Sequence, residues 1–83
     1  MVNQKQREVT HQIHKPIGVL SIGSTGWRKE VNIVSWNNAA PKLDIREWSA
    51  DHRKMSRGVG LNGEEVRNLT ALLQDIDPVV LGI

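Results

Sequence analysis

At 83 residues the chain makes one small domain, with no cysteine and 11 Lys/Arg against 9 Asp/Glu for a net charge of +2. The lack of cysteine excludes a disulfide framework, a thiolate metal site and a cysteine nucleophile, and so short a domain buries little of its surface, so self-association is expected. The apolar runs are only a few residues long and the start (MVNQKQREVTHQIH) is polar, so neither a membrane span nor a secretory signal is expected, and the setting should be intracellular, cytoplasmic or nucleoid-associated.

Charge is unevenly distributed. Residues 9–61 carry a balance of +4 and residues 62–83 a balance of −3. A basic body with an acidic end suits a domain that meets a polyanion on one face only.

In chain order, residues 1–13 are polar and without sustained periodicity, and read as a flexible lead-in to a domain over residues 14–83. His11 and His14 fall on or next to this stretch without partner ligands, so they are read as solvated rather than metal-binding. Residues 16–23 (PIGVLSIG) form a short apolar run closed by a Gly/Ser/Thr cluster and read as a first strand. Residues 27–37 (WRKEVNIVSWN) are β-rich and end in the turn signal of Asn37 and Asn38, which makes them strand two. Residues 42–49 (KLDIREWS) alternate, with Leu43 and Ile45 on one face and Lys42, Asp44, Arg46 and Trp48 on the other. A turn at residues 50–52 leads to a fourth strand over residues 53–61, with Met55, Arg57, Val59 and Leu61 expected on one side. Short turns leave no room for crossover helices, so the four strands form an antiparallel meander.

The period then changes. Asn62 is a good N-cap, with acidic Glu64 and Glu65 in the first turn, and Val66, Leu69, Leu72, Leu73 and Ile76 recur at helical spacing over residues 63–76. Asp77 before Pro78 ends the helix. The apolar stripe is expected to cover one sheet face and leave the basic one free, and the apolar tail of residues 79–83 either completes the core or packs on a partner subunit. The fold class is therefore α+β: a four-stranded antiparallel β-meander followed by one C-terminal α-helix.

Lys and Arg along a groove neutralise phosphates, and Trp offers a face on which any base stacks. Arg46 and Trp48, two apart on one strand, point the same way, and Lys29, Lys42, Lys54 and Arg57 are expected to extend the track. Trp36 is assigned to the core because Val34 shares its face and Arg28 at the strand end can snorkel, leaving Trp27 and Trp48 as the exposed rings. With Asn37 added, the candidate nucleic-acid-binding set is Trp27, Arg28, Lys29, Asn37, Lys42, Arg46, Trp48, Lys54 and Arg57. Replacing Arg46 or Trp48 by Ala is expected to weaken binding and spare the fold.

Residues 44–48 (DIREW), the basic-glycine strand of residues 55–61 (MSRGVGL) and Asn62 capping a helix with Glu64 and Glu65 together resemble the single-stranded-DNA-binding domain of the coactivator positive cofactor four, and especially its small YdbC-like bacterial relatives. The likeness covers about residues 14–77. It implies a homodimer joined through helices and adjoining strands, with DNA along basic sheet grooves. It also implies that Arg46 is a DNA-contacting arginine, that Trp48 is the aromatic end of its strand, that Arg57 belongs to the basic-glycine strand, and that Trp27, Arg28 and Lys29 are a basic-aromatic strand start. Ile33 stands where a relative can carry a basic residue, which would redraw the groove. The regulatory segment that eukaryotic members carry before this domain is not expected, nor is their coactivation of RNA polymerase II.

Residues 58–63 (GVGLNG) fit a dinucleotide-binding turn, but the preceding strand is basic and too little chain follows for a βαβ unit. Glycine there is read as permitting close strand approach. The sequon at Asn68 lies inside the helix and is read as coincidental. Asp44 and Glu47 fall on opposite strand faces and cannot act as a carboxylate pair, so no enzymatic activity and no cofactor or metal is expected. The expected partners are single-stranded DNA ahead of RNA, bound with little sequence preference in support of transcription, replication or repair, and a second copy of the chain. The alternative is a protein–protein interaction module of a transcription or phage replication complex.

Overall fold

The structure is a computed structural model and describes residues 9–83. Four strands, β1 (His11–Ile22), β2 (Arg28–Trp36), β3 (Lys42–Trp48) and β4 (Met55–Leu61), form one antiparallel sheet in the order of the chain. Helix α1 (Gly63–Gln74) and a single helical turn, α2 (Pro78–Leu81), follow.

The turns follow from local chemistry. Asn37 and Asn38 both sit at positive φ, at 51° and 64°, and Ala39 N–H donates to the Trp36 carbonyl at 2.8 Å. Paired positive φ values match the twist of a tight hairpin, and Asn tolerates them better than most residues. Gly26, at φ 91°, closes the β1–β2 turn with a bond to the Gly23 carbonyl. At the start of α1 the Asn62 side chain accepts from Glu65 N–H at 2.8 Å and the Glu65 carboxylate accepts from Asn62 N–H at 2.9 Å, a reciprocal capping box.

Strand β1 begins at His11, inside the stretch of residues 1–13 expected as lead-in, of which residues 1–8 lie outside the described residues. Its early start comes from pairing: His11 lies opposite Trp36, and Asn37 Oδ1 accepts from Thr10 N–H at 2.9 Å. Along β1 the register slips three times, between Ile13 and Lys15, Pro16 and Gly18, and Val19 and Ser21. Each slip is one extra residue on β1, namely His14, Ile17 and Leu20. An extra residue bends a strand and raises its twist, and edge strands such as β1 tolerate both this and Pro16. The residues facing inward are therefore His11, Ile13, Pro16, Val19 and Ile22, a spacing of about three that neither strand nor helix periodicity explains.

The sheet curls. Trp48 lies opposite Arg28, and on a flat strand Arg28 and Trp36 are about 26 Å apart. The Trp36 and Trp48 rings are nonetheless stacked, with centroids 6.4 Å apart and planes at 12°. The face bearing Arg28, Glu30, Asn32, Val34, Trp36, Asp44, Arg46 and Trp48 is thus the inside of a tight curve, and it holds the core: Val34 and Trp48 have no exposed surface.

The helix does not cover the outer face as its apolar stripe suggested. It meets only β3 and β4, with Val66 and Leu69 half-buried, while Leu72, Leu73 and Ile76 stand in solvent. The tail does not complete the core of this chain either, since Val79 is 87% exposed and Ile83 is 86% exposed.

Candidate nucleic-acid interface

The inner face is built around one carboxylate. Asp44, itself buried, accepts two 2.7 Å bonds from Arg46 Nε and Nη2 and a 3.1 Å bond from Trp36 Nε1. Two positions apart on one strand, Asp44 and Arg46 point the same way, and the fork of the guanidinium matches both carboxylate oxygens. Arg46 Nη1 also donates to the Ser56 carbonyl at 3.2 Å, and its guanidinium carbon lies 4.2 Å from the centre of the Trp36 ring. Most of the five N–H donors of Arg46 are therefore used inside the protein. The arrangement depends on Gly58, opposite Arg46: a Cβ there would sit 2.5 Å from the Ile45 carbonyl oxygen and closer still to Arg46 Cβ.

A second cluster lies along β2. Glu30 is buried, and both its carboxylate oxygens are 3.0 Å from His52 Nε2 while Oε1 accepts from Asn32 Nδ2 at 3.1 Å. Burial pushes the Glu30 pKa up, but the hydrogen bonds from His52 and Asn32 and the charges of His52 and Arg28 outweigh it, and the net shift is downward. His52 reaches inward from a turn where its φ is 61°, a turn pinned by Asp51 accepting from Ser49 Oγ at 2.8 Å and from Arg53 N–H at 3.0 Å.

The tryptophans exchange the roles expected of them. Trp48 is the fully buried ring, because the curl of the sheet brings His11 to 5.1 Å and His52 to 5.4 Å from its centre; Trp36 and Trp27 are half-buried. His11 accordingly packs on both Trp36 and Trp48 rather than standing free in solvent.

The basic residues do not form one track. Lys42 is exposed and shares the parity of Asp44 and Arg46, and Arg28 lies half-buried at the far end of the inner face. Lys29, however, pairs with Glu47 and lies on the outer face. Lys54 and Arg57 are exposed, before and within the stretch where β4 carries two residues, Ser56 and Arg57, against Glu47 alone. That bulge also separates Met55, paired with Trp48 on the inner face, from Val59 and Leu61, which pair with Ile45 and Leu43 on the outer one. Asn37 serves the hairpin, its amide oxygen held by Thr10. Ile33 pairs with Leu43 on the outer face, the face opposite to that of Arg46. Glu30, Asn32 and His52 were missed in the sequence: a lone acid, an amide and a turn histidine carry no signal until β2 and the β3–β4 turn are brought together.

Two comparisons bear on this arrangement. The family model described as Transcriptional Coactivator p15 (PC4) matches residues 24–72, which takes in β2, β3, β4 and most of α1. A protein of Treponema pallidum (strain Nichols), described as uncharacterized, is 39% identical over 70 residues, covering 82% of each chain. No helix among the described residues is long and apolar enough to cross a membrane.

Proposed function

The chain belongs to the transcriptional coactivator p15 (PC4) family, a single-stranded-DNA-binding, non-enzymatic family, and from that premise we propose that it binds single-stranded DNA with little overall sequence preference along the inner face of its sheet. The observation that carries this reading is the pairing of Arg46 with the half-exposed Trp36 ring on a face that also bears exposed Lys42. A flat cationic and aromatic surface takes bases by stacking, while lysines at its margin take phosphates. In this reading Trp36 and Trp27 are the stacking rings, Lys42, Lys54 and Arg57 meet the backbone, Arg46 holds Trp36 in place as much as it meets the strand, and Trp48 supports the platform from below. Lys29, on the outer face, is left out.

The binding unit is a homodimer. Leu72, Leu73 and Ile76 of α1 and Val79, Val80, Leu81 and Ile83 beyond it form a run of exposed apolar side chains on elements with little support from their own sheet. A second copy presents the same surface, and a two-fold contact between identical apolar faces buries both.

The test is a titration of intrinsic tryptophan fluorescence with a mixed-sequence single strand and its duplex at two salt concentrations. The single strand should quench at much lower concentration, with log affinity falling by about 0.7 per log unit of salt for each phosphate neutralised. Lys42→Ala and Lys54→Ala should each shallow that slope by about the same amount. Equal or absent binding of both nucleic acids would overturn the reading.

A further inference from the structure

The two cations that β3 places on the inner face are held in different ways. Lys42 is exposed and makes no ion pair among the described residues. Arg46, on the same face, has only 15% of its side chain exposed, and both its Nε and its Nη2 lie 2.7 Å from Asp44. With Nη1 donating to the Ser56 carbonyl and lying 3.9 Å from Met55 Sδ, few of its five N–H groups remain for a ligand.

Asp44 does two things at once. Its side chain is 1% exposed; Oδ1 accepts from Arg46 Nε, and Oδ2 accepts from both Arg46 Nη2 and Trp36 Nε1. One oxygen thus ties the edge of the indole to the fork of the guanidinium, which holds the Arg46 carbon 4.2 Å from the centre of the Trp36 ring. The same carboxylate cancels the arginine charge inside the protein. A phosphate that took Arg46 for itself would have to break a bidentate pair and leave a buried carboxylate without its partner, which is strongly unfavourable. Glu30 is engaged in a similar way farther along the face, matched by His52 and Asn32 beside a cavity of about 260 Å³ that Pro16 and Val19 help to wall.

Resting on the single-strand reading above, we infer that Asp44 is the positioning residue of the site: it locks Trp36 and Arg46 into one stacking unit and withholds the arginine charge from the DNA backbone. Bases are then held by a unit without net charge, and phosphates by Lys42 and the exposed cations of the β4 end. The two kinds of contact separate by their response to salt, because counterions are released only where a phosphate is neutralised, whereas a stacked base releases none. The unit therefore selects for unpaired bases, and a duplex, whose bases are already stacked on one another, gains nothing from it.

The test is the salt dependence of single-strand affinity in the full chain, read by anisotropy of a labelled strand so that the signal does not depend on tryptophan. Asp44→Asn keeps the size of the side chain, removes its charge and frees Arg46 for a phosphate. Its slope of log affinity against log salt should steepen by about 0.7, so that a variant equal to the parent at low salt falls about fivefold behind it over a tenfold rise. Asp44→Asn combined with Arg46→Gln removes both charges; affinity should fall about tenfold at every salt, with the slope of the unaltered protein, in contrast to the shallower slope of Lys42→Ala. Parallel lines for the single variant, which a purely structural Asp44 would give, overturn the inference, and so does a shallower slope for the double variant. Should either variant not fold by circular dichroism, the unaltered protein decides: the magnetic resonance signal of Arg46 Nε–H should stay protected from solvent exchange in the free and strand-bound protein. Loss of that protection when the strand is added would mean that the arginine leaves Asp44 for a phosphate, and overturns the inference while leaving single-strand binding intact; absence of binding by the unaltered protein overturns both.

Discussion

On the inner face of the sheet Glu30, Asn32 and Asp44 are buried beside Val34 and Trp48, whereas on α1, α2 and much of β1 leucines, isoleucines and valines stand in solvent. The inner arrangement is affordable because its buried carboxylates are matched: Asp44 by Arg46 and Trp36, and Glu30 by His52 and Asn32. Outside, each exposed square ångström of apolar surface forgoes about 25 cal/mol. The inner face is thus largely complete within a chain, whereas α1 and α2 leave apolar side chains uncovered.

Removing the inner core should break this arrangement most severely. Trp48→Ala deletes the largest fully buried side chain and should cost about 3–5 kcal/mol in chemical denaturation, enough to unfold a small domain. Sparing of the fold, as expected of an exposed stacking ring, would instead mean that the inner curl is held elsewhere.

The exposed C-terminal tail should fail differently. With Val79→Asp and Ile83→Asp together, light scattering should report the mass of one chain in place of two while circular dichroism keeps the sheet signal, since neither side chain is buried in its own chain. A dimer that survives both charges would place its interface away from the tail.

A subtler change sharpens the inner side. Gly58→Ala drives a methyl group into Arg46 and the Ile45 carbonyl, and should lower stability by about 1–3 kcal/mol in thermal melts. It should also disturb single-strand binding by moving the guanidinium off Trp36, while Gly18→Ala, at the open β1 site, should do neither.

The smallest effect is the pH response of Glu30. Its folded pKa lies below its ordinary value of 4.5, so the folded protein holds that proton less tightly than the unfolded chain does. The resulting stabilisation is full above the ordinary value and is lost as pH falls through the lowered one. Acid denaturation should begin at higher pH in Asn32→Ala, which takes away one of the bonds that depress the carboxyl; an unchanged midpoint would show that His52 and Arg28 suffice.

Much of this was legible in the residues. The alternation of residues 42–48, the paired asparagines of the β2–β3 turn and the Asn62–Glu65 cap each act over a few positions, and each element formed where its chemistry placed it. The pairing of Arg46 with Trp48 on one face was legible for the same reason, and so was the close strand approach at a glycine, realised at Gly58. The full length of β1 was not, because three inserted residues scrambled its period. Nor was the separation of Met55 from Val59, since a bulge exists only relative to a partner strand.

Which tryptophan is covered belongs to a different order of information. Alternation assigns Trp48 to a face but does not say whether that face is open, because curvature accumulates across four strands and from the bulges of β1, far away in the chain. The local pattern therefore dictated strands, turns, helix and side-chain parity through short-range sterics and hydrogen bonding. The curl of the assembled sheet settled what lies buried, which cations share a face and where a cavity opens, since those depend on atoms brought together from His11 to His52.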